Sequence, residues 1–272
     1  MKTYSILSYN RTGSTIVGQC LAGYFRKEYQ AEITNIPSVL MRYDETGKDV
    51  NVPFEQPLPY GTYVKTYDIV EGEVKRILNF DDPKPFKHGT EEHQIEVEKR
   101  IKLLQYNAQS NTKSIFKIQP QTFEQNFYNP DLLKDYTFIF CARKDIKEQI
   151  LSYLIAMETK LFHVGFEDQI VNVPKVTIKR KSFDFCLEGL RITNKLFEHY
   201  KSKNQIAKII FYEDWQDDIS KILPLIGFKN VPTNTFKKIK YTVGSKQNLV
   251  NNLEQVYEWM DNESEFDYTY KL

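Results

Sequence analysis

The chain has 272 residues, 41% of them hydrophobic and 27% charged, which is ordinary for a globular protein and enough for one large α/β domain or two small ones. A net charge of +1 argues against a broad electrostatic attraction to nucleic acid or to an anionic membrane, so any anion site must be local. Three widely separated cysteines (Cys20, Cys141, Cys186) in apolar runs argue against a disulfide framework or a zinc site and fit buried free thiols in a reducing compartment.

The first predicted elements are an apolar strand over Tyr4–Tyr9, a polar turn over Asn10–Ser14, and a helix with Ile16, Val17, Cys20 and Leu21 on its apolar side. A strand feeding a turn that opens a helix leaves unpaired backbone N–H groups directed at one spot, a ready site for phosphate or sulfate. Gly13 permits close backbone approach, Ser14 and Thr15 add hydroxyls, and Arg11 adds a fixed positive charge. The nucleotide-triphosphatase pattern G-x-x-x-x-G-K-[ST] is absent. The plain alternative is a structural joint capped by Ser14.

Residues 32–59 are rich in turn signals and proline, and Tyr60–Val70 reads as a short strand or hairpin. Asp81–His88 reads as a loop, and a helix begins at Thr90 with Ile95, Val97, Ile101, Leu103 and Leu104 on its apolar face. Ser114–Ile118 is a compact strand carrying Lys117, and Thr137–Ala142 (TFIFCA) is the strongest buried-strand signal, followed by Arg143. Helices are expected over about 145–159, 182–201, 215–227 and 249–260, with a strand at Ala207–Tyr212 and an irregular basic stretch over 162–181. Strands alternating with helices predict an α/β fold, a central parallel sheet flanked by helices on both faces. A single domain over 1–272 is expected, with a variable insertion at about 35–90.

In such a sheet, ligands bind beyond the carboxyl ends of the strands. The residues there are Asn10–Ser14, Lys117–Gln119, Arg143–Asp145 and Tyr212–Asp214, and the basic ones suit a ligand with several negative charges. Four stretches together resemble the sulfotransferases that use 3′-phosphoadenosine-5′-phosphosulfate (PAPS), whose fold is P-loop-like. YNRTGST resembles that family's 5′-phosphosulfate loop. FIFCARKDIKEQILSY resembles its 3′-phosphate motif, with spacing closest to the bacterial trehalose-type members. KIIFYEDWQDDISKILPLIGF is similar to its tyrosine–acid segment, and SIFKI to the strand that brings a lysine to the sulfuryl group.

The resemblance implies that Arg11, Thr12, Gly13, Ser14 and Thr15 hold the phosphosulfate and that Arg143 and Ser152 hold the 3′-phosphate. It also implies Tyr212 near the adenine and Lys246 in a loop closing over the 3′-phosphate. Arg11 and Lys117 would stabilise the charge growing on the leaving phosphate, with PAP as product and no metal required. The eukaryotic-type base, a histidine two residues after the lysine, is replaced here by Gln119; by analogy with trehalose-type members the base falls to Glu32, or to Glu28. His88, His93, His163 and His199 read as surface or loop histidines, Asp214 as a helix N-cap, and Lys175, Lys179, Arg180 and Lys181 as a solvated face. A cytoplasmic enzyme acting on a carbohydrate or other small polar acceptor is expected, with neither nucleic acid nor membrane as partner. The rival readings are a P-loop kinase and a non-catalytic PAP-binding protein of the same fold.

Overall fold

The computed structural model describes residues 3–24, 28–30, 66–70, 73–77, 89–109, 114–127, 129–159, 174–228 and 246–272. The strands are β1 (Thr3–Ser8), β2 (Glu28–Gln30), β3 (Thr66–Val70), β4 (Glu73–Ile77), β5 (Ser114–Ile118), β6 (Tyr136–Ala142) and β7 (Ile206–Phe211). Five of them form one sheet in the order β2-β5-β1-β6-β7, and every pairing in it is parallel. β3 and β4 make a separate antiparallel hairpin, Ile69 opposite Val74.

The helices are α1 (Ser14–Tyr24), α2 (Glu91–Gln109), α3 (Pro120–Phe127), α4 (Ile146–Thr159), α5 (Arg180–Ser202), α6 (Tyr212–Trp215), α7 (Ile222–Ile226) and α8 (Leu253–Asp261). They cover both faces of the sheet, because alternate strand residues point to opposite sides. Ile6, Ile115, Ile139, Cys141 and Ile210 face a core shared with Val17 and Leu21 of α1 and with Trp215, Ile222 and Ile226. Leu7, Phe116, Ile118, Phe138 and Phe140 face the other core, with Leu104, Phe123, Leu154, Phe183, Phe197 and Met260. Each such side chain contributes about 1.5–3 kcal/mol when fully buried. None of the helices among the described residues is long and apolar enough to cross a membrane.

Several elements differ from the sequence reading. The expected helix over 215–227 is three short pieces, because Asp218 accepts a hydrogen bond from the Ser220 amide and starts a separate 3-10 turn at Ile219. The last expected helix, 249–260, begins later, at Leu253 (α8), after a 3-10 turn at Lys246–Leu249. α5 begins at Arg180, inside the stretch expected to be irregular, and α3 has no counterpart among the expected elements. His93 is no surface residue: it is buried in α2, its Nε2 3.1 Å from Asn126 Oδ1 on α3. Most of the 35–90 insertion lies outside the described residues.

All three cysteines are free and buried. Burial pushes the Cys20 and Cys186 thiols up to about 12, and raises Cys141 further despite the opposing charge of Lys117. A thiol-specific reagent at pH 8 is therefore expected to leave the native protein unlabelled and to label all three thiols after denaturation. The unfolded thiols ionise near 9.0, ahead of the folded ones, so this contribution to stability is lost as pH rises from there toward about 12. Rapid labelling of the native protein would contradict the packing around α1 and α5.

Candidate functional site

The connection leaving β1 runs through α1 to β2 at one edge of the sheet, whereas β6 is followed by β7 on the opposite side. The carboxyl ends of β1 and β6 therefore bound a topological switch point, where open α/β sheets form a crevice. The residues just beyond those ends are Tyr9–Gly13 and Arg143–Asp145.

The first turn is held from several directions. Thr12 Oγ1 donates to Tyr9 O (3.1 Å) and Gln149 Nε2 on α4 donates to Asn10 O (2.7 Å). Gln119 Nε2, just past β5, donates to Asn10 Oδ1 (3.0 Å), and Arg143 Nε donates to Arg11 O (2.9 Å). Gly13 O accepts from the Ile16 and Val17 amides and begins α1. Tyr9, just before the turn, donates from its hydroxyl to Cys186 O (3.0 Å), and Gly189 of α5 allows this contact, since a Cβ there would sit 2.7 Å from the Tyr9 ring.

The carbonyls of Tyr9, Asn10, Arg11 and Gly13 are thus occupied by protein donors. By contrast, the backbone amides of Thr12, Gly13, Ser14 and Thr15 make no hydrogen bond within the described residues. Arg11 (φ 64°) and Gly13 (φ 70°) are left-handed, a conformation from which anion-binding nests are built. For Arg11 that conformation costs about 1–3 kcal/mol and persists only where the surroundings enforce it. At Gly13 the backbone is also crowded: a Cβ would lie 2.5 Å from Trp215 Cη2 and 2.9 Å from Tyr212 Cδ2.

Two guanidinium groups meet at this rim. Arg11 Nε lies 3.3 Å from Ser152 Oγ on α4, and burial, then repulsion from Arg143, lowers the Arg11 pKa. Arg143 stacks on the Tyr212 ring at 4.1 Å, a contact worth about 0.5–2 kcal/mol. Its Nε is spent on Arg11 O, and its terminal nitrogens make no hydrogen bond within the described residues. The result is a planar fork fixed at its base and open at its tips, the geometry suited to bidentate binding of phosphate or sulfate.

Ser152 meets Arg11, whose carbonyl is held by Arg143, so the first turn links the two ends of the site. Lys117 is buried, in register with Ile6 and on the α1 side of the sheet with Ile115. Lys246 Nζ is paired with Glu148 Oε2 (3.1 Å), one turn before Ser152 on α4, and Gln247 binds the same carboxylate (2.9 Å). Tyr212 opens α6; Asp214 is therefore inside that helix and pairs with Lys144, while the N-cap position is taken by Phe211. Glu28 belongs to β2, and Glu32 lies outside the described residues.

Two buried side-chain polar atoms among the described residues have no partner, Ser8 Oγ and Trp215 Nε1. One ends the strand that feeds the turn and the other belongs to the ring packed on Gly13, so both costs, about 1–3 kcal/mol each, fall beside the loop. Gln149 lies inside the stretch FIFCARKDIKEQILSY that carries the resemblance, but no role is expected for it from the sequence; its bond to the Asn10 carbonyl follows only from the fold. Among the described residues no three of His, Cys, Asp and Glu come together as metal ligands.

No family model matches the chain, and neither a curated protein nor a solved structure does.

Proposed function

We propose that the chain is a sulfotransferase that moves the sulfuryl group of PAPS to a hydroxyl of a carbohydrate or other small polar acceptor. The observation that carries this reading is the pairing, across one crevice, of an open arginine fork (Arg143) with four unspent amides (Thr12–Thr15). Two anionic groups at the two ends of one ligand would satisfy both and would relieve the repulsion between Arg11 and Arg143. The resemblance of the four sequence stretches to the PAPS-dependent family supports the choice of ligand.

In this reading the loop amides, Ser14 and Thr15 hold the phosphosulfate, and Arg143 holds the 3′-phosphate. Ser152 supports Arg11, and Tyr212 lies toward the adenine. The acceptor oxygen bonds to sulfur as the sulfur–oxygen bond to the leaving phosphate breaks, and the acceptor's proton passes to a base, for which Glu32 is the candidate. Arg11 and Lys117 offset the charge growing on the leaving phosphate, and donors fixed in advance are worth most there. Lys246, paired with Glu148, has further donors on its ammonium to offer the 3′-phosphate.

Adenosine 3′,5′-bisphosphate is expected to raise the melting temperature, with roughly 2.7 kcal/mol of stabilisation at about 100 times its dissociation constant. ATP with magnesium is expected to do so far less. An equal response to ATP would favour a kinase, and no response to the bisphosphate would end the reading.

A further inference from the structure

We infer that Gln149, with Gln119, is a positioning residue that fixes the first turn in its anion-binding form; as an account of ligand binding this rests on the function proposed above. Asn10 sits between the two elements that flank the central strand. Gln119 follows β5 on one side, and Gln149 belongs to the first turn of the helix that follows β6 on the other. One holds the Asn10 side chain at 3.0 Å and the other the Asn10 carbonyl at 2.7 Å.

A peptide unit is planar and trans, so its C=O and N–H point in opposite directions. Drawing the Asn10 carbonyl toward α4 turns the Arg11 amide away from α4, and the Arg143 bond to Arg11 O does the same for the Thr12 amide. These constraints lie on both sides of the left-handed Arg11, the kind of over-determination such a conformation needs. Glutamine suits the task because it donates without adding charge. A lysine or arginine at 149 would crowd a third cation onto Arg11 and Arg143, and a glutamate would set a carboxylate against a carbonyl. Gln149 is 3% exposed, so its amide was buried at a desolvation cost that the Asn10 bond offsets.

The test is Gln149→Met, close to isosteric and lacking the donor, studied first without ligand by backbone amide relaxation. In the parent protein the Arg11–Gly13 amides should show order parameters near about 0.85, falling below about 0.6 in the variant. Affinity for adenosine 3′,5′-bisphosphate should fall about tenfold. Gln119→Met should give a smaller change in the same direction, since it releases the Asn10 side chain and leaves the Asn10 carbonyl held by Gln149. A role in packing alone predicts a lower melting temperature with unchanged loop order, and that result would overturn the inference. Loop order lost in the variant, with no bisphosphate binding by the parent, would uphold the bracket and sink the sulfotransferase reading. Loop order and affinity both retained would sink the bracket and leave that reading intact.

Discussion

Replacing Arg143 with alanine is expected to weaken adenosine 3′,5′-bisphosphate by about 1.5–3 kcal/mol, roughly 10- to 150-fold, when measured by titration calorimetry. The substitution removes the open fork, and it also removes the donor to Arg11 O and the cation stacked on Tyr212. Lysine at this position should recover little. It restores charge, but it lacks both the planar pair of terminal donors and the Nε that reaches the loop carbonyl. Inorganic sulfate gives a useful contrast, because a single anion seated on the loop amides needs Arg143 less than a ligand with two phosphate ends. Unchanged bisphosphate affinity in the alanine variant would place the 3′-phosphate elsewhere and dissociate Arg143 from the proposed activity.

The other large effect is expected at Gly13. Alanine there meets two separate obstacles. A left-handed backbone costs a residue with a Cβ about 1–2 kcal/mol, and overpacking against a fixed ring costs a further 1–3 kcal/mol. The ring is Trp215, buried in the core between the sheet and α1, so it has little room to retreat from a Cβ 2.5 Å away. The expected loss is therefore about 2–5 kcal/mol of folding stability, read as a lower denaturant midpoint at unchanged slope. Anion binding should fall with it, because the loop can escape the clash only by moving its amides. A variant with parent-like stability and affinity would mean that the turn and the tryptophan are not packed as described.

Much of the frame was legible because it follows from local pattern. TFIFCA lies buried on both faces as β6, and the alternation of strands with amphipathic segments led to a parallel sheet covered on both sides. The strand, turn and helix at the start of the chain were visible because polar residues interrupt an apolar run where backbone amides go unpaired. What escaped notice depends on tertiary contact. α3 carries few apolar residues, and its buried set includes Pro120, Gln121 and Thr122, so its period was hidden. The break near Asp217 and Asp218 comes from a side chain competing for a backbone amide, which composition does not reveal. At the site, the amino-acid types were readable and their partners were not. The resemblance groups Ser152 with Arg143 at the 3′-phosphate, whereas its bond to Arg11, 141 residues away in sequence, is visible only in the fold. Gln149 is legible as a member of the motif after β6 but not in its role, since nothing local says that its amide meets a carbonyl 139 residues earlier.

The left-handed Arg11 sets durability and purpose against each other. A glycine at 11 would relax the turn and remove one of two mutually repelling cations, giving a tougher protein with a poorer grip on anions. Under a screen that rewards heat resistance alone, this position would be among the first to drift, and the survivors would be hardy and idle.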